Sequence, residues 1–351
     1  MRAPFELLEP TGPETPVIVE IPHAGVELPA TFLEPLAVPA RSLGRDADLY
    51  VDALYEDAPR EGATVVVART SRYLVDLNRG EGDVDSEVVE GARADVRMQH
   101  GLVWRTTSDG EPALTRKLRP EELEERLEYV WRPYHRALAE AIARKSRRFG
   151  KAILLAAHSM PSVERSAGRP GARGWGDAAS GGRAGHRDTW PGARPSWRES
   201  WSPGEQGGPR GASQDSAGSG PPPSSEAPGN GGGAQAVRAR EGAWRQDNPR
   251  ARADVVPGTR GRRSADGRYI DAVEAHATEN GWTVRHDDPY AGGFTTQHYG
   301  RPSEGVHAIQ VELARRLYLD EDTLRPNAHF DAARAWCRSL VERLGRLGLG
   351  A

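Results

Sequence analysis

Two apolar runs in this chain end in histidine. PVIVEI (16–21) is followed by Pro22, His23, Ala24 and Gly25, and KAILLAA (151–157) by His158, Ser159, Met160 and Pro161. A short run of aliphatic residues stopped by Pro or Gly predicts a buried strand that ends in a loop. In open α/β sheets ligands bind outside the carboxyl ends of the strands, so two such endings can bring two imidazoles to one edge of a sheet. Two neutral imidazoles, a carboxylate and an open water position are the donor set of a catalytic zinc site. The single cysteine, Cys337, shares helical spacing with Phe330, Leu340, Val341 and Leu344 and reads as a small core residue. Any metal must then be held by His, Asp or Glu.

Several segments could supply the carboxylates. In GRDADLYVDALYEDA (44–58), Asp46 and Asp48 stand where a loop enters a helix bearing Leu49, Ala53 and Leu54. Either could supply the carboxylate ligand, although an Asp such as Asp48 there also suits a helix N-cap. Glu27, four residues after His23, could also reach the same ion. There is no HExxH pair, so spacing alone does not single out zinc. GVHAIQVEL (305–313) sets His307, Ile309, Val311 and Leu313 on one strand face and Gln310 and Glu312 on the other. A glutamate within such a strand is costly to bury without a partner, so it is either ion-paired with an arginine or poised as a general base. SRYLVDLNRG (71–80) crowds Arg72, Asp76, Asn78 and Arg79 at a glycine-terminated end, where the guanidinium fork suits either a carboxylate substrate or a structural Arg–Asp pair. DDPYAGGFTTQHYGRP (287–302), which includes Tyr299, is long enough to line or cover a pocket.

The elements that would position these groups alternate. PVIVEI, TVVVA (64–68), KAILLAA, WTVRHDD (282–288) and GVHAIQVEL read as strands, with helical patterns over 119–150, 268–281 and the final FDAARAWCRSLVERLGRL. This predicts an α/β fold with a mainly parallel or mixed central sheet flanked by helices. Pro133 should kink or split the 119–150 helix, which starts near Pro120 and ends at Gly150. The 351 residues, formal charge of −3 and 37% hydrophobic content allow an ordinary packed core and carry no nucleic-acid footprint. The first residues lack the pattern of a secretory signal, and no apolar run is long enough to span a bilayer, so a cytoplasmic location is expected. Nothing in the sequence bears on oligomeric state. From Val163 to Ala253 there is no Leu, Ile, Phe or Tyr, while five of the nine tryptophans (Trp175, Trp190, Trp197, Trp201 and Trp244) lie there among arginines. That composition predicts a disordered insertion at 164–253 within one folded unit made of 1–163 and 254–351. The insertion is either tolerated low complexity or a tether for a partner.

PFELLEP, IPHAG, RDADLYVDALY, SRYLVDLNR, GLVWRTT, YHRAL, LAAHSMPS, ADVVPG, GGFTTQHYG and AIQVELARRLYLDE, in that order, resemble the N-formylglutamate amidohydrolase family across essentially the whole folded part. The resemblance implies a phosphorylase/hydrolase-like α/β fold related to zinc carboxypeptidases, forming a single discontinuous hydrolase domain. It also implies Zn2+ or another divalent metal such as Co2+, used to hydrolyse N-formyl-L-glutamate to formate and L-glutamate at the end of histidine degradation. Carried over by position, His23 and His158 become metal ligands with Asp46, and Asp48 next. Glu312 falls on the base glutamate, and Arg72, Asn78, Arg79 and Tyr299 fall on substrate-binding segments. Leu49-Tyr50 replaces Trp-His of the family pattern, which leaves room for another N-acyl or N-formimidoyl amino acid or a small peptide as substrate. GRAGHRD (182–188) stands apart from HSMPS and ADVVPG, which leaves the placement of Arg183 and His186 open. From a different class, the chain could be an inactive binding or scaffold protein acting through the Trp/Arg-rich insertion.

Overall fold

β-branched and aliphatic runs covered on both faces favour parallel pairing, and that is how the centre of the fold is built. In the computed structural model, which describes residues 2–93, 98, 100–164 and 251–350, six strands form one sheet: β1 (Phe5–Leu8), β2 (Val17–Ile21), β3 (Thr64–Ala68), β4 (Ala152–Met160), β5 (Val255–Gly258) and β6 (Val306–Ala314). Their order is β1-β3-β2-β4-β6-β5. The inner four are parallel, while β1 and β5 close the two edges antiparallel. Every residue of β2, β4 and β6 is buried.

Among the described residues seven α-helices accompany the sheet: α1 (Ala40–Asp46), α2 (Val51–Leu54), α3 (Pro120–Arg126), α4 (Arg132–Phe149), α5 (Gly267–Glu279), α6 (Phe294–Tyr299) and α7 (Phe330–Leu349). One sheet face packs Val19, Leu155, Ile309 and Val311 against Leu54 of α2, Ile270 and Val273 of α5, and Leu340 and Val341 of α7. The opposite face packs Ile18, Val66, Leu154 and Ala308 against Tyr134, Leu138 and Ile142 of α4. Each fully buried aliphatic chain contributes about 1.5–3 kcal/mol. A one-residue slip would therefore exchange the two faces at large cost, which fixes the register of β4 against β6. Cys337 is buried in the first of these cores, as expected.

The topology creates the crevice. From β2 the chain moves to β3 on one side, and from β4 it moves to β5 at the far edge on the other, before returning to β6 beside β4. The loops that leave β2 and β4 thus diverge, and the gap at their carboxyl ends is the topological switch point where α/β sheets bind ligands. The described residues all belong to one compact unit. Of the stretch expected to be an insertion, 165–250 lies outside the described residues. At its two ends Val163 bridges Ala251, and the Arg252 amide donates to the Ser162 carbonyl at 2.9 Å. Among the described residues no helix is long and apolar enough to cross a membrane.

Four local readings change. KAILLAA continues as a strand through His158 to Met160, so His158 is a strand residue and not a loop residue. WTVRHDD forms only one bridge, Val284 to Val255, because Asp287 turns back and accepts from the Thr259 and Gly261 amides. The 119–150 helix is broken by a wide π turn at Leu127–Trp131 before Pro133, whose missing N–H cannot extend a regular ladder. FELL, quoted above only as a motif, is the antiparallel edge strand β1.

Gly258 lets the 290–292 backbone lie directly across β5. A Cβ there would stand 2.7 Å from both the Gly292 nitrogen and the Tyr290 carbonyl oxygen. Backbone cannot yield as a side-chain tip can, so Gly258→Ala should cost about 1–3 kcal/mol. A thermal melt should show the lower midpoint; an unchanged midpoint would contradict the close packing of this loop.

Candidate active site

The two imidazoles expected from the sequence do meet at the switch point. His23 follows β2, His158 lies near the end of β4, and their ring centroids are 4.9 Å apart. Asp48 joins them. Its Oδ2 is 3.1 Å from His158 Nδ1 and 3.6 Å from His23 Nδ1, and its amide donates to the His23 carbonyl at 2.9 Å. His23, Asp48 and His158 offer ligand atoms all within 4.8 Å of one another, the one such group among the described residues, and all three are buried.

Asp46, placed first from the sequence, faces elsewhere. It is the last residue of α1, and its carboxylate accepts from the Tyr73 hydroxyl and the Ser108 amide. The next residue, Ala47, is extended, so the chain reverses direction and delivers Asp48 to the imidazoles. Asp48 is not a helix cap either: Tyr50, at φ 65°, occupies that position before α2. Glu27 is tied to Arg2 at the surface.

Burial opposes the charge of Asp48, but hydrogen bonds from His158 and His23 more than offset it and hold the carboxyl well below the usual range. Its other oxygen accepts from Ser159 Oγ at 3.3 Å and Arg315 Nη2 at 3.4 Å. Arg315 also donates to the Arg45 and Ala47 carbonyls at 2.6 and 2.7 Å, which pins the loop that carries Asp48. His23 is oriented from behind, with Nε2 2.8 Å from Asp76 Oδ1. Asp76 in turn accepts from Arg72 Nη2 (2.8 Å), Trp104 Nε1 (2.9 Å) and the Asn78 amide (2.9 Å). It stays ionised against burial through Arg72 and His23. A carboxylate bonded to the second nitrogen of an imidazole is how proteins fix histidine metal ligands. A buried acid between two imidazoles, one of them so oriented, fits a divalent cation, and this group could hold one.

Register brings Glu312 beside the group, because β4 and β6 pair His158 directly with Glu312. Glu312 is buried, receives Gln310 Nε2 at 2.8 Å, and is pushed above its ordinary value by burial. The other expected site residues are already engaged. Arg72 gives Nε and Nη2 to Asp76, and its guanidinium lies 4.3 Å over the Trp104 ring. Arg79 donates to the His100 and Asn78 carbonyls, each at 2.8 Å, and burial lowers it to about 10. The Asn78 amide group contacts Thr295, Gln310 and His158. Tyr299 is turned into the core, its hydroxyl 3.1 Å from His135 Nδ1. His135 Nε2 and Trp131 Nε1 donate to the Leu77 and Arg79 carbonyls, each at 3.0 Å, so α4 and the π turn before it clamp the Asp76–Arg79 turn. His135, Gln310 and Arg315 could have been suspected from YHRAL and AIQVELARRLYLDE, where polar residues interrupt apolar patterns.

An α/β sheet with a buried His–Asp–His group at its switch point, and a carboxylate next to it, defines the class. The N-formylglutamate amidohydrolase family model matches residues 15–189 and 237–319. The chain is 28% identical over 337 residues to N-formylglutamate deformylase of Pseudomonas aeruginosa, covering 94% of this chain and 92% of that one. It is 39% identical over 149 residues to the deformylase of Pseudomonas putida, 42% of this chain and 52% of that protein, so this match spans about half of that relative. The solved N-formylglutamate amidohydrolase of Ralstonia eutropha JMP134 aligns with a TM-score of 0.70 at 27% identity, covering 99% of this chain and 98% of that one. A gene product of Agrobacterium tumefaciens shares the fold at a TM-score of 0.58 and 15% identity. The chain belongs to the N-formylglutamate amidohydrolase family.

Beneath the site lies Glu20 of β2, fully buried. One carboxyl oxygen meets Tyr134 Oη at 3.3 Å, and the other has no hydrogen bond among the described residues. Burial pushes it up to about 7, partly relieved by His158, Thr295 and Tyr134. An acid raised in the folded state above its unfolded value near 4.5 adds stability below that value, and the benefit disappears as pH rises through about 7. Relative to Glu20→Gln, the native protein should therefore lose on the order of 3 kcal/mol between those pH values. Denaturant titrations of both proteins from pH 4.5 to 7.5 check this, and parallel curves would contradict it.

Proposed function

We propose that the protein hydrolyses the formyl amide of N-formyl-L-glutamate to formate and L-glutamate, with a divalent metal such as zinc held by His23, Asp48 and His158. The observation that carries the reading is the pairing of Glu312 with His158 across β4 and β6, which supports a base beside the three candidate ligands. Family membership and the names of the relatives support the substrate. When bound, such a cation makes water more acidic and polarises an amide carbonyl.

The chain's own residues do the rest. Glu312, whose carboxyl burial pushes above its ordinary value, takes a proton from the attacking water as the new C–O bond forms at the formyl carbon. It then gives that proton to the nitrogen as the C–N bond breaks, so formate and the free amine of glutamate leave. Gln310 donates to Glu312 and accepts from the Gly293 amide at 2.8 Å, which fixes the carboxylate. Asp76 keeps His23 in one orientation. In a cell this reaction would close histidine degradation, in the cytoplasm.

Formate release from N-formyl-L-glutamate should stop on chelation and return with zinc. Glu312→Gln should lower kcat by about 10²- to 10⁴-fold while the melting midpoint holds. Chelator-resistant turnover, or full activity of the Glu312→Gln variant, would defeat the assignment. Faster turnover of N-formimidoyl-L-glutamate than of the formyl compound would move the substrate to that class.

A further inference from the structure

The arginines that the sequence offers for an acidic substrate are committed to Asp76 and to backbone carbonyls. Arg252 is placed differently. It stands just beyond the end of β4, where its amide donates to Ser162 and its carbonyl accepts from Arg316 Nη2 at 3.1 Å. Its Nη1 donates to Tyr290 Oη at 2.9 Å, and its guanidinium lies 5.4 Å over the Tyr290 ring. Its Nε is buried with no hydrogen-bond partner among the described residues. A guanidinium has no acceptor, so the Tyr290 oxygen receives the bond from Arg252 and the phenolic proton is left for another acceptor.

Tyr290 lies on the loop whose Gly293 amide donates to Gln310, the side chain that in turn donates to the candidate base Glu312. Its loop is strapped down at both ends. Asp287 donates its amide to the Pro257 carbonyl at 2.9 Å and accepts from Thr259 and Gly261 at 2.6 and 2.5 Å. Beyond Tyr290, the Ala291 carbonyl accepts from the Arg260 amide at 2.7 Å, and the Gly293 amide donates to Gln310 at 2.8 Å. Tyr290 is thus a fixed donor flanking the site.

We propose that Arg252 and Tyr290 form the subsite for the side-chain carboxylate of the amino acid, Arg252 through its unpaired N–H edge and Tyr290 through its hydroxyl proton. This rests on the proposed reaction, in which the acyl amino acid carries an acidic side chain. A carboxylate is the acceptor these donors lack, and charge-assisted bonds of this kind discriminate strongly against a neutral isostere.

The test uses the zinc-loaded full chain and calorimetric titration with L-glutamate and L-glutamine, with turnover of N-formyl-L-glutamate followed separately. Arg252→Gln should weaken L-glutamate binding by about ten- to hundredfold and leave L-glutamine within about threefold. Tyr290→Phe should show the same pattern at smaller size, with both melting midpoints retained. Equal weakening for the two amino acids, no weakening, or no binding of L-glutamate to the unaltered protein would overturn the subsite. If the unaltered protein discriminates the two amino acids through Arg252 yet releases no formate, the subsite stands and the proposed reaction falls.

Discussion

The site depends on keeping one carboxylate ionised where burial opposes it. Asp48 is almost wholly enclosed, and an isolated charge in such a place would cost several kcal/mol or take up a proton. Here it faces two imidazoles on one side, and Ser159 and Arg315 on the other. Two of those partners are held in turn: His23 by Asp76, and Arg315 by the Arg45 and Ala47 carbonyls. Asp76 repeats the design, with Arg72, Trp104 and the Asn78 amide around it. The candidate metal group is thus the innermost part of a network of paired buried charges, anchored to a sheet whose register both hydrophobic faces enforce.

That network gives the Asp76–Arg79 turn a different emphasis. Arginines and asparagine in SRYLVDLNRG look like substrate-binding groups when read as a string, yet the fold uses them to orient His23 and shape the turn beneath it. Helix α4 and the π turn before it lock the same turn through His135 and Trp131. With those arginines engaged, the proposed recognition of an acidic substrate falls to Arg252 and Tyr290, which bond each other at 2.9 Å.

Much of this was legible in the sequence, and the limits have physical causes. His23 and His158 announced themselves because each interrupts an apolar run, and the alternation along GVHAIQVEL put Gln310 and Glu312 on one face. The partnership of Glu312 with His158 depends on the register between β4 and β6, a long-range property that packing sets and that no local pattern encodes. Asp46 and Asp48 were inseparable in the string because the choice turns on where α1 stops. With Asp46 still helical and Ala47 extended, only the second carboxylate points at the imidazoles. Asp287 broke the strand expected at WTVRHDD by capturing two amides of the neighbouring segment, another contact between distant residues.

Asp48, and not Asp46, stands with His23 and His158 in the group that could hold a metal. Zinc titration of the demetallated chain by calorimetry, compared with Asp48→Asn and Asp46→Asn, tests it most directly. The unaltered chain should bind one equivalent, with affinity lost in Asp48→Asn and largely kept in Asp46→Asn. Loss confined to Asp46→Asn, or no zinc bound by the unaltered chain, would contradict it.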